Sequence, residues 1–355
     1  MQAMPCVACP CTGFPCIHDP EYSPVYTMTS PLPVDRPLWK RLLLRRLKIL
    51  LGLALVVGVF GGGTYLLAPQ WLMAAHTWYQ AEKAGLSTHH VQVGHTDWTY
   101  YEGGEGPTIV LLHGYAADRN VWLQTAPMLT RHFRLIIPDL PGWGESTRQK
   151  DANYDISHQA VRLAGFVRAL GLGPFVLVGH SMGGAIAGTY ASEHPAKVRA
   201  LVLMDSFGLS FVENRLAREA LAGRNPLAYH DRAGFDRMLH EVFDKPPQIP
   251  SRFIDVMIAR HNANAAFLQK VFRELMQPDQ YTILDKRLAK LTMPVLGLWC
   301  RDDKVIDLSA LNTLRDGLTH SSSINASVLN DCGHVPEMEK PRETAQVIAG
   351  FAIAH

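Results

Sequence analysis

The chain has 355 residues, 47% of them apolar and 19% charged, with a formal net charge of +2. That length fits one enzyme-sized domain of roughly 270 residues plus an N-terminal extension. The near-neutral balance argues against nucleic acid as a partner, and no phosphate-binding loop, dinucleotide fingerprint or internal repeat occurs.

Residues 1–38 read as a disordered tail rich in Cys and Pro. Cys6, Cys9, Cys11 and Cys16 form a cluster of a kind that binds zinc, but no second ligand group follows at the usual spacing and His18 stands alone. A working start at Met28 would leave the first 27 residues outside the protein. Residues 39–85 read as a basic flank and a membrane anchor. From Ile49 to Ala68 no charged residue occurs, and twenty such positions suffice to cross a bilayer core as a helix. Arg36, Lys40, Arg41, Arg45, Arg46 and Lys48 precede the run, and the interface-seeking Trp71, Trp78 and Tyr79 follow it. The excess of basic residues before the run predicts a cytoplasmic N-terminus and a following domain on the far side, periplasmic in a bacterium. A cleaved signal peptide is the rival, but the run is long and no convincing cleavage site precedes Met73-Ala74-Ala75. A buried helix fits the basic flank poorly, and Gly61-Gly62-Gly63 weakens a helix without excluding a membrane span.

Residues 86–355 alternate between strand and helix patterns. His89–Val93 and Trp98–Tyr101 predict an opening hairpin. Thr108–Leu112 predicts a buried strand running into His113-Gly114-Tyr115-Ala116, and Arg134–Pro138 another. A helix is expected over Ser157–Leu170. Phe175–Val178 then leads into Gly179-His180-Ser181-Met182-Gly183 and a stretch of small residues. A buried strand, a sharp turn with serine at its apex and a helix start make up the nucleophile elbow. Gly179 and Gly183 are the elbow glycines, because strained angles at the serine leave room only for small neighbours two residues away. A glycine-rich turn with an incidental serine is the bland alternative. Ala200–Met204 predicts the next strand, ending at Asp205.

Between Asp205 and Lys290 the strand–helix alternation stops. Phe235, Met238, Leu239, Val242 and Phe243 recur at helical spacing, as do Phe267, Leu268, Val271, Phe272, Leu275 and Met276. A helical cap at about 207–288 is expected, mostly packing on the core and in part lining an apolar pocket over the elbow. Pro294–Trp299 and Ser327–Asn330 predict two further strands. The first is followed by Asp302 and Asp303, the second by His334.

Alternating strands and helices predict an α/β fold with a mostly parallel sheet covered on both faces. Serine needs a base, and the base needs an orienting acid. The order Ser181, acid, His334 along the chain places all three at one edge of the sheet. The acid is Asp302 or Asp303, with Asp205 as a rival. Backbone N–H groups of Tyr115 and Met182 are the expected oxyanion donors, and His113 is expected to brace its loop.

These residues resemble the alpha/beta-hydrolase family from about Leu86 to the C-terminus. The resemblance rests on Leu111-Leu112-His113-Gly114-Tyr115, Pro138-Asp139-Leu140-Pro141-Gly142-Trp143-Gly144-Glu145-Ser146, the elbow, and Asp331-Cys332-Gly333-His334. The stretches Phe243–Pro250 and Cys332–Pro341 are similar to membrane-anchored monoacylglycerol lipases and single-anchor bacterial lipases. Related chains read Gly-x-x-Asp where this one has Cys300-Arg301-Asp302-Asp303, which implies Asp303 as the acid. The resemblance implies a serine hydrolase that cleaves carboxylic esters of lipids without metal or organic cofactor. A carbon–carbon bond hydrolase of the same fold and an inactive membrane-tethered binding protein are the rival functions. In an oxidising compartment Cys300 and Cys332, flanking acid and base, are candidates to pair.

Overall fold

A computed structural model describes residues 37–355. The expectations for the cysteine cluster, Arg36 and Met28 lie outside the described residues. Two compact units divide at Gly58 and Val59. Helix α1 (Leu38–Leu67) runs 30 residues, starts within the basic flank and continues through Gly61-Gly62-Gly63. It is long and apolar enough to cross a membrane, and none of its residues is buried.

In the second unit, α2 (Pro69–Lys83) precedes the antiparallel strands β1 (Leu86–Val93) and β2 (Thr96–Gly103). Then follow β3 (Thr108–Leu112), the short α3 (Ala126–Leu129), β4 (Arg134–Pro138), α4 (Ile156–Ala169), β5 (Phe175–His180), α5 (Met182–Glu193) and β6 (Val198–Met204). Four helices come next: α6 (Arg215–Leu221), α7 (Arg232–Val242), α8 (Ser251–Leu275) and α9 (Pro278–Tyr281). The chain returns to the sheet as β7 (Val295–Cys300), α10 (Ala310–Gly317), β8 (Ile324–Leu329), α11 (Pro336–Glu339) and α12 (Pro341–Ala354).

The strands form one eight-stranded sheet in the order β1-β2-β4-β3-β5-β6-β7-β8. All neighbours from β4 to β8 run parallel, and β2 is antiparallel to both β1 and β4. Central strands bury both faces, so they read as unbroken apolar runs. Phe175 and Leu177 of β5 join one core with α4 and α5, while Val176 and Val178 join the other with α3 and α12. Alternation of period two feeds both layers. Trp98 stacks on Phe166 at 4.5 Å between centroids, fixing α4 against β2. Such a pair adds about 0.5–1.5 kcal/mol beyond its buried area. Asp155 caps α4 by accepting the His158 N–H at 2.9 Å.

The two predicted stripes divide their work. Phe235, Leu239 and Phe243 pack with Val335 in a small third cluster. Leu268, Val271 and Leu275 join the main core.

Candidate active site

Ser181 stands between the last residue of β5 and the first of α5 with φ 52° and ψ −120°. A non-glycine residue in that region carries strain and persists only where its surroundings hold it. Here its N–H donates to Met204 O at 2.9 Å, and its carbonyl accepts from Gly184, Ala185 and Phe207. The tight turn explains the flanking glycines. A Cβ on Gly179 would lie 2.2 Å from Gly183 O, and one on Gly183 would lie 2.5 Å from His113 O and 2.7 Å from Leu112 O. Because those atoms are backbone, Gly183→Ala is expected to destabilise the protein by about 3 kcal/mol or more. Thermal melting checks this, and an unchanged transition would contradict it.

The structure brings three of the predicted side chains together. His334 Nε2 lies 2.9 Å from Ser181 Oγ, and His334 Nδ1 lies 2.9 Å from Asp303 Oδ2. Asp303 and His334 are 7% and 5% exposed, so little water competes for these contacts. The other oxygen of Asp303 accepts the N–H groups of Val305 at 2.7 Å and Ile306 at 3.1 Å, which fixes the carboxylate plane. Asp302 is exposed and its N–H donates to Cys332 O at 3.2 Å. Asp205 is fully buried and accepts the Cys300 N–H at 2.9 Å. Burial, and then the facing Asp303, hold its carboxyl well above the usual range.

Cys300 and Cys332 are joined in a disulfide, with Cα atoms 5.3 Å apart. The bond links the loop that bears Asp303 to the loop that bears His334. The His334 N–H donates to Val242 O at 2.7 Å at the end of α7. Glu339 accepts from Gly333 N–H at 2.7 Å and from Asp244 N–H at 2.9 Å. His334 is therefore held from three sides.

Tyr115 and Met182 both line the cavity that Ser181 faces. Met182 opens α5, so its N–H is among the first-turn amides without an intrahelical acceptor, and the helix dipole favours negative charge there. His113 donates through Nδ1 to Gly114 O at 2.8 Å and accepts the Leu140 N–H at 3.0 Å through Nε2. Burial lowers its pKa, so it braces the loop as a neutral ring. Arg119 clamps the neighbouring 138–146 loop through its ion pairs with Asp139 and, at 2.6 Å, Glu145.

The cavity holds about 630 Å³ of empty space, counting the part open to solvent. Leu216 and Ala220 of α6, Phe272 and Leu275 of α8, and Phe207 and Phe211 give it apolar walls. Among the described residues no group of three or more His, Cys, Asp or Glu could hold a metal ion.

Two residues were missed in the sequence. Glu337 is fully buried three positions after His334, and His180 precedes Ser181 with its ring 4.9 Å from that of His334. An acid within a Pro-flanked apolar stretch, Val335-Pro336-Glu337-Met338, was the available signal.

Residues 107–242 match the family model for the alpha/beta hydrolase fold. Monoacylglycerol lipase ABHD6 of Rattus norvegicus is 31% identical over 307 residues, covering 81% of this chain and 88% of that protein. Lipase 3 of Moraxella sp. (strain TA144) is 30% identical over 278 residues, covering 77% of this chain and 87% of that protein. A crystal structure of a membrane phospholipase A, a bacterial virulence factor, superposes with a TM-score of 0.76 at 36% identity, covering 86% of this chain and 98% of that one. With the sheet order, the elbow and these similarities in hand, the chain belongs to the alpha/beta-hydrolase family.

Proposed function

We propose that this chain is a membrane-anchored serine hydrolase that cleaves carboxylic esters of lipids, monoacylglycerols or similar acyl esters, through an acyl-enzyme. The chain is a carboxylic ester hydrolase by its relatives. The observation that carries the mechanism is the pair of 2.9 Å contacts linking Ser181, His334 and Asp303 beside an apolar cavity. His334 takes the Ser181 proton as the hydroxyl oxygen attacks the ester carbonyl. Asp303 keeps the Nδ1 proton in place and stabilises the imidazolium. The amides of Tyr115 and Met182 hold the oxyanion, often the largest single catalytic contribution. The alkoxide leaves with the proton from His334. Water, deprotonated by the same ring, then releases the fatty acid. Each step is proton transfer and acyl transfer, for which the side chains suffice without metal or organic cofactor.

In this reading residues 39–85 are the anchor, 86–355 carry the chemistry and 207–288 are the cap. The anchor keeps the cavity near its lipid substrate. Two features favour a non-cytoplasmic catalytic domain: the basic residues preceding the apolar run, and the Cys300–Cys332 disulfide, which suits an oxidising compartment.

A substrate panel on the detergent-solubilised protein tests the reading. Monoacylglycerols and p-nitrophenyl esters are expected to release acid, and a ring-cleavage diketone is expected to remain intact. Cleavage of the diketone alone would assign a carbon–carbon bond hydrolase. Turnover of nothing would leave a tethered binding protein.

A further inference from the structure

His180 and Glu337 lie directly behind the base. The His180 ring nitrogen Nε2 is 2.6 Å from the backbone carbonyl of His334, an oxygen that can only accept. Nε2 therefore carries a proton. The opposite nitrogen, Nδ1, faces Glu337 Oε1 at 3.2 Å, and neither that nitrogen nor the Glu337 carboxyl has a hydrogen bond to another side chain. His180 is 4% exposed and Glu337 is 0% exposed. Two protonation patterns satisfy this geometry. Either the carboxyl is protonated and the ring neutral, or the carboxylate pairs with an imidazolium. Both hold the same number of protons, one more than a neutral ring beside an ionised acid. Complete burial favours the neutral form over the ion pair.

We infer that Glu337 and His180 are positioning residues that hold one buried proton between them, and that losing this proton displaces His334 and stops turnover on the alkaline side. The inference rests on the assignment of His334 as the catalytic base. Once the proton has gone to solvent, no arrangement satisfies both contacts. If the ring keeps hydrogen on Nε2, a bare Nδ1 lone pair faces a carboxylate. If hydrogen moves to Nδ1, the bare Nε2 faces the His334 carbonyl at a distance that only a hydrogen bond tolerates. In the second case the His334 carbonyl is repelled directly; in the first the Glu337 carboxylate turns away from the ring and draws on the segment that follows His334, and a shift of about 1 Å in a reacting group can cost on the order of 100-fold in rate.

The surrounding charges agree. Burial pushes the Glu337 carboxyl up to about 8, against the pull of its own backbone N–H and with the Glu339 charge adding to the rise. Burial, then His334, hold His180 well below the ordinary histidine range, so the ring is neutral. His113 also lowers it, from the neighbouring loop. Burial, then Asp303, push the carboxyl of Asp205, at the end of β6, well above the usual range. From the 119–124 turn packed on α11, Arg119 is committed to Asp139 and Glu145, and Arg342 and Glu343 of α12 are exposed. No cation among these groups is placed to compensate an ionised Glu337. The sign follows: the proton is present below about 8 and lost above it, so activity falls as pH rises through that value.

The test is kcat for a water-soluble ester from about pH 6 to 10, together with the rate of fluorophosphonate labelling of Ser181. Wild type is expected to lose rate across an ionisation near 8. Glu337→Gln offers a non-titrating N–H donor to Nδ1, so it is expected to stay within about threefold of wild type at neutral pH and to lack that ionisation. Glu337→Ala is expected to fall about 10–100-fold at every pH, because the ring nitrogen is left without a donor. A Gln variant that keeps the wild-type alkaline limb, or a wild type with no limb near 8, overturns the inference. If wild-type Ser181 does not label at all, the serine hydrolase reading falls and takes this inference with it. If Ser181 labels and the profile ignores residue 337, only the inference falls.

Discussion

Ser181→Ala is expected to lower kcat by about 10⁴–10⁶-fold without unfolding the protein. Only the hydroxyl is lost, replaced by hydrogen. The backbone bonds that hold the elbow, from Ser181 N–H to Met204 O and from Gly184, Ala185 and Phe207 to the Ser181 carbonyl, do not involve it. Alanine tolerates φ 52° no worse than serine, so the strain at the turn is unchanged. On the proposed mechanism the residual rate comes from the cavity and the Tyr115 and Met182 amides acting on a bound ester with water as nucleophile. The check is steady-state turnover of a short ester beside a melting curve. Activity within tenfold of wild type would mean that the hydroxyl does not attack.

Asp303→Asn is expected to cost about 10⁴-fold in kcat, with folding again preserved. Two N–H groups, from Val305 and Ile306, point at Oδ1 and require an acceptor there. The asparagine oxygen must occupy that position, which turns the amide nitrogen toward His334 Nδ1. Two donors cannot face each other, so the ring proton moves to Nε2. That nitrogen, 2.9 Å from Ser181 Oγ, then has no lone pair with which to take the hydroxyl proton. The same substitution at Asp205 gives a contrasting expectation. Its one hydrogen-bonded oxygen accepts from Cys300 N–H, and burial, then Asp303, push its carboxyl well above the usual range, which favours the neutral form. A neutral isostere there changes little, so the loss is expected to stay below about tenfold. Paired kinetics of the two variants decide between the acids. A larger loss at Asp205 would assign that residue the orienting role.

Much of this arrangement was legible in the sequence because the central strands are buried on both faces. Thr108–Leu112, Phe175–Val178, Ala200–Met204 and Pro294–Trp299 stand out as apolar runs, and the candidate site residues follow their carboxyl ends. Edge and half-exposed elements left weaker signals. β8 begins at Ile324, three residues before its predicted start, and Ile324, Asn325 and Ala326 are exposed at the sheet edge. α8 runs from Ser251, yet its stripe was visible only from Phe267, because the earlier turns are exposed or half-buried. Asp302 and Asp303 could not be separated by residue type. What separates them is burial, since one carboxylate faces solvent and the other is sealed against His334. Glu337 escaped notice for a related reason. A glutamate among four helical residues looks like surface, and only the packed fold reveals that no water reaches it.

The most direct measurement is peptide mapping by mass spectrometry after reaction with a fluorophosphonate, on wild type and on His334→Ala. One phosphonyl adduct on Ser181 in wild type, and almost none when the imidazole is gone, is the predicted result. A wild-type protein that carries no adduct, or carries it on another residue, would contradict the account.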